Sequence, residues 1–120
     1  MNRFFTTAVI ITLLDFLWIN FFFYERFSDM IADVQKAPMK PKIIGLIVSY
    51  MILIYLAYEI IPKLQSPQEA FIIGLLVYGV YDSTNYTTFE EWNACTALAD
   101  SVWGGILFFI TYSLTINNNI

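Results

Sequence analysis

Four long apolar stretches follow one another along the chain, and most charged residues fall between them. The first, about 4–24, is long enough at 1.5 Å per residue to cross a hydrocarbon core of about 30 Å. Arg3 precedes it as it would a leader, but the stretch has Asp15 at its centre. It ends in Phe22, Phe23 and Tyr24 without a small-residue cleavage site, so it is read as a membrane span. Beyond it, Glu25 to Lys42 forms a polar connection. Phe27, Met30, Ile31 and Val34 are spaced there as on one face of a short interfacial helix, which Pro38 and Pro41 end. Acids interrupt its basic residues, which favours a solvated loop over a lipid-binding patch.

The second stretch, about 43–61, lies between Lys42 and Lys63 and stops at Pro62. Tyr55, Tyr58 and Glu59 fall at interfacial depth near its end. Ser66-Pro67-Gln68-Glu69 has the order of a helix start: a serine N-cap, proline at the first helical position and a glutamate completing a capping box. It opens the third stretch, about 68–86, where Gly74 and Gly79 allow close approach of a neighbouring helix. Gly74, Tyr78, Asp82 and Asn85 or Tyr86 follow at helical steps along one face. Thr88-Phe89-Glu90-Glu91 repeats the capping pattern, which predicts a fourth span over about 90–115 with Trp92 in the interfacial belt. Asn117, Asn118 and Asn119 form a polar tail. The expected fold is therefore an all-α, four-helix transmembrane bundle within one domain, residues 1–120.

Composition agrees with that class. Of 120 residues 58% are hydrophobic and only 13% charged, well below the usual quarter. The net charge of −4 and the lack of a basic run argue against nucleic acid as a partner. Cys95 is alone, so it forms no intrachain disulfide, and it reads as a small helix residue. Histidine is absent, which removes the commonest general base, proton shuttle and transition-metal ligand. No activated nucleophile or phosphate-binding loop is evident, no cofactor is expected, and the balance leans away from an enzyme.

The chemistry then rests on three acids set in apolar stretches: Asp15, Asp82 and Asp100. An ionisable group at the centre of a membrane helix costs at least ~2.5 kcal/mol on insertion scales, so each needs a partner or a function. Counting helical rise from the connections puts all three roughly 9 to 18 Å from the face that carries the first and third loops. The least costly arrangement turns them inward, together. No Lys or Arg lies in the spans at that depth. Three clustered carboxylates cannot all be ionised without a cation, so bound protons, a metal ion or a water chain must accompany them. Tyr81, Thr84 and Asn85 surround Asp82 in sequence and are candidate neutral members of the same site. Asp15-Phe16-Leu17-Trp18 and Asp100-Ser101-Val102-Trp103 share the spacing Asp-x-x-Trp, which places acid and indole on one helical face. An indole N–H only donates, and a buried carboxylate needs donors. On this reading each Trp clamps an acid across a helix interface. Asn85-Tyr86-Thr87 matches a glycosylation pattern but sits at a span end, too near the membrane to be modified.

At these residues the chain resembles the predicted membrane proteins gathered as the domain-of-unknown-function family numbered 2177. The likeness is carried by Asp15-x-x-Trp18, Gly74-Leu75, Tyr78, Tyr81-Asp82-x-Thr84-Asn85, Thr88, Trp92 and Asp100-x-x-Trp103-Gly104. Ser83 and Tyr86 stand where that pattern leads one to expect apolar residues, and the third loop has Glu90 and Glu91. The resemblance implies a four-helix membrane protein and marks these positions; it implies no activity.

Three functions fit the sequence. The leading one is a channel or carrier for protons or monovalent cations, with Asp15, Asp82 and Asp100 as its site and an oligomer completing the pathway. A membrane scaffold whose polar centre fixes helix register is the second. The third is a protein or enzyme that binds a lipid or other apolar molecule under an aromatic wall of Trp18, Trp103 and Tyr81. Four Lys or Arg residues in the first loop and none in the third favour a cytoplasmic 25–42 loop with both termini outside.

Overall fold

The computed structural model describes residues 2–117. Its helices are α1 (Arg3–Gln35), α2 (Ile43–Ile60), α3 (Pro67–Thr88) and α4 (Ala94–Tyr112), and no strand occurs among the described residues. Three helical segments are long and apolar enough to cross a membrane: Arg3–Gln35, Ile43–Lys63 and Ala94–Ile116. At 22 residues α3 has the length of a span, but its last third, Asp82 to Thr88, is polar and lowers its hydropathy.

α1 departs most from expectation. The first span and the interfacial helix are one continuous helix of 33 residues, and the polar connection shrinks to 36–42. The two halves are joined by a π-helical turn, Ile19–Phe23, and Lys36 ends the helix in the left-handed conformation. Glu25 and Arg26 mark where the helix becomes polar; nothing in their chemistry stops it.

The remaining boundaries have clear local causes. Asn2 caps α1 by accepting from the backbone N–H groups of Phe4 and Phe5. Pro62 reduces the end of α2 to a 3₁₀ turn, Ile61–Lys63. At the start of α3, Ser66 Oγ accepts from the Glu69 N–H, and Glu69 reaches back to the Gln65 N–H, as the sequence pattern predicts. The matching expectation at Thr88 is corrected. Thr88 is still helical and its hydroxyl donates to Thr84 O, whereas Asn93 is the N-cap of α4, accepting from the Thr96 N–H. Expected at interfacial depth, Tyr58 lies edge-on to Phe4 and under the Arg3 guanidinium, whose Nη1 also donates to Tyr58 O. Tyr55 is exposed, and Glu59 pairs with Lys63 at 4.0 Å.

α3 and α4 form a tightly packed hairpin around Gly74 and Gly104. Arg3 meets the end of α2, and Tyr112 Oη donates to Leu64 O between α2 and α3. At the opposite end, Met30 of α1 packs with Trp92 in the loop before α4. The helices thus alternate in direction. One end of the bundle is filled by Ile11, Ala57, Ile61, Ala70, Leu107 and Phe108, all essentially without exposure. Thr111 and Thr115 are buried there too, and their hydroxyls are satisfied by carbonyls one turn back on their own helix.

Candidate functional site

All three membrane acids are buried, but they are not equivalent. Asp15, on α1, is a junction of the whole bundle. Tyr50 of α2 donates to its Oδ2; Tyr78 of α3 and Trp103 of α4 donate to its Oδ1 at 3.0 and 2.9 Å. One carboxylate therefore collects a donor from each of the other three helices. Three neutral donors meet most of its hydrogen-bonding demand without a cation.

Asp100 on α4 has a single donor, Trp18 Nε1 at 3.1 Å. The two Asp-x-x-Trp motifs are therefore crossed: Trp18 serves the acid of α4, and Trp103 serves the acid of α1. The two indoles stack with centroids 5.2 Å apart and planes 9° from parallel. The clamp expected from the spacing is present, in reciprocal form. Replacing Trp103 with Phe keeps the stacking and deletes one of Asp15's donors. The expected loss is about 0.6–1.7 kcal/mol in reversible unfolding from mixed micelles, the range for single interhelical bonds in membranes. An unchanged unfolding curve would mean the indole N–H contributes nothing.

Asp82 is different again. It is 1% exposed, and neither carboxylate oxygen has a hydrogen-bond partner among the described residues. It lies beside Asp100, Trp92 and Ser101. Trp92, expected in the interfacial belt, is 2% exposed, and its Nε1 is likewise without an acceptor. It packs edge-on against Phe27 and Tyr81, which roof this end of the site. Ser101 spends its hydroxyl proton on Ala97 O at 2.9 Å, so it does not serve Asp82.

The other expected members spread out. Tyr81 is half exposed, in an aromatic cluster with Phe27 and Trp92. Asn85 is half-buried beside Tyr81, and Thr84 is exposed. None of the three is hydrogen-bonded to Asp15, Asp82 or Asp100. Gly104 has a steric role: a Cβ there would lie 2.5 Å from Tyr78 Cδ1 and 2.6 Å from Gly74 O, so its bare backbone lets Tyr78 cross α4 to reach Asp15. Tyr50 was not marked by the sequence reading. Its depth was the available signal: about seven residues into its helix from the first loop, it stands near the level of Asp15.

This is a four-helix membrane bundle with a carboxyl centre shared among its helices. The chain belongs to the family described as predicted membrane protein (DUF2177), whose model matches residues 1–116. No curated protein matches the chain, and no solved structure does.

Proposed function

We propose that the chain is a proton carrier whose binding site is the Asp82–Asp100 pair. One observation carries the reading: Asp82 is sealed from solvent with both oxygens unpartnered, next to a second buried acid. Two adjacent carboxylates removed from water cannot both stay ionised without a positive charge between them. The only ion pair among the described residues is Lys63–Glu59, near the end of α2, so no basic side chain supplies that charge. One proton would. The protonated acid donates to its neighbour, and Trp18 Nε1 supports the oxygen of Asp100 that keeps the charge. Two carboxylates and a committed serine are few oxygens for a divalent cation, which takes six or more.

Asp15 is structural on this reading, since three donors already hold it. The pair lies toward the end of the bundle closed by Phe27, Tyr81 and Trp92, and the packed core of Ile11, Leu107 and Phe108 lies on the way to the other end. That arrangement favours a carrier or one half of an oligomeric pathway over an open channel. α3 is then the fourth span, with the 36–42 connection cytoplasmic and both termini outside.

Proton flux in proteoliposomes is the test, comparing wild type with Asp82→Asn and Asp100→Asn at equal folded amounts. Asn preserves shape and removes ionisation, so both substitutions should bring flux to the level of empty vesicles. Full flux in Asp82→Asn, or none in wild type at either sign of membrane potential, would leave the pair as structure. Sodium or potassium flux without proton flux would replace the proton with a monovalent cation.

A further inference from the structure

Between α1 and α2 lies a cavity of about 1160 Å³, somewhat beyond the ~300–1,000 Å³ typical of pockets that hold one small molecule. Its walls are nearly all apolar. Phe16, Ile19 and Phe23 of α1 face Leu46, Ile47 and Leu53 of α2, and Asp15, Tyr50, Tyr78 and Asp100 lie at its inner end. The wedge arises because α2 is pinned to α1 near Arg3 and Tyr58, whereas Ile43, Ile44 and Ile47 at its other end stay exposed. Met39 and Pro41 of the 36–42 connection form the outer rim.

That rim is cationic. Lys40 and Lys42 flank Pro41, Lys36 lies a few residues before, and all three are exposed, with no carboxylate of the described residues within ion-pairing distance. Read as sequence, the acids of 25–42 dilute this charge. In the structure they are separated from it, because Glu25, Asp29 and Asp33 all belong to α1, whereas 36–42 has only lysines.

We propose that this cavity is a binding site for one anionic phospholipid, its phosphate at Lys40 and Lys42 and an acyl chain lying between α1 and α2. An apolar slot alone would accept any chain; the lysines at its rim select the headgroup, because each basic residue near an anionic lipid contributes a few-fold to binding. Asp15 needs nothing polar from the ligand, since Tyr50, Tyr78 and Trp103 already satisfy it, and Asp100 has the Trp18 indole. Asp100 of the carboxyl pair also lines this cavity, but the lipid contacts proposed here are with the lysines of the rim and the apolar faces of α1 and α2, so neither reading depends on the other.

The experiment is native mass spectrometry of the full chain released from membranes of equal phosphatidylglycerol and phosphatidylcholine. Wild type should retain one phosphatidylglycerol, in preference to phosphatidylcholine by about tenfold, from two lysines at a few-fold each. A Lys40→Gln, Lys42→Gln double variant, altered only in the exposed connection, should retain lipid without preference. Ile47→Trp fills the slot and should lose retained lipid of either kind, with circular dichroism confirming an intact bundle. Equal retention of both lipids by wild type overturns the proposal. So does a preference that survives in the double variant, or one that persists in folded Ile47→Trp.

Discussion

Asp15→Ala is expected to destabilise the bundle by about 2–5 kcal/mol, the sum for three interhelical hydrogen bonds at roughly 0.6 to 1.7 kcal/mol each. The substitution removes the one acceptor shared by Tyr50, Tyr78 and Trp103. Asp15→Asn should cost less. Its carbonyl still accepts from Tyr78 or Trp103, and its amide can donate to the Tyr50 hydroxyl. Reversible unfolding in mixed micelles gives both values. The order should be wild type, Asn, then Ala; an Ala variant as stable as wild type would show that the three donors find other acceptors and that Asp15 is not the junction. Because the flux site is assigned to Asp82 and Asp100, folded Asp15→Asn should retain proton transport.

Gly74→Ala should be the most damaging single-methyl addition in the chain. Its Cβ would meet Gly104 O, Gly104 C at 2.7 Å and Phe108 Cβ at 2.9 Å, and two of those atoms are backbone that cannot rotate away. The α3–α4 hairpin would have to open. Overpacking of this kind costs about 1–3 kcal/mol, and the displacement also pulls Tyr78 from Asp15. Gly45 supplies the control, because a Cβ there meets nothing within 4 Å and alanine should stabilise α2 by up to about 1 kcal/mol. Equal stability of Gly74→Ala and Gly45→Ala would mean the hairpin does not depend on close backbone approach. The same unfolding assay, read against wild type, decides it.

Much of the architecture was legible because hydropathy dictates it. Apolar stretches of span length, broken by Pro38, Pro62 and Pro67, leave few alternatives to four helices, and the cost of a lipid-facing carboxylate turns Asp15, Asp82 and Asp100 inward. The start of α3 was legible for a local reason, since Ser66 and Glu69 serve backbone groups within one turn. The start of α4 was not. Thr88-x-x-Glu91 has the same form as Ser66-x-x-Glu69, but α3 had not yet ended, and only the three-dimensional position of Asn93 distinguishes the true cap. α1 misled in the opposite sense: charge at Glu25 and Arg26 marks where a helix leaves lipid, which need not be where it ends.

At the site, spacing could place an acid and an indole on the same face of α1 and of α4. It could not reveal that each indole serves the other helix's acid, because that depends on the offset between two helices far apart in sequence. Trp92 shows the limit of composition as a guide to depth. A tryptophan near a loop normally marks the interface, and here Phe27, from the long second half of α1, covers it. Tyr50 was hidden among apolar neighbours, where tyrosine reads as bulk and not as a donor.

The junction at Asp15 also dictates an order of events during synthesis. Every donor it uses lies downstream, at residues 50, 78 and 103, and the last belongs to the final helix. A newly inserted α1 therefore brings a carboxylate into the bilayer with no partner in its own helix. The reciprocal bond from Trp18 to Asp100 waits as long, so the first helix and the last complete each other. Until α4 emerges, α1 cannot be an independent, fully satisfied span, and a chain truncated before residue 100 leaves the Trp18 N–H without its acceptor and Asp15 one donor short.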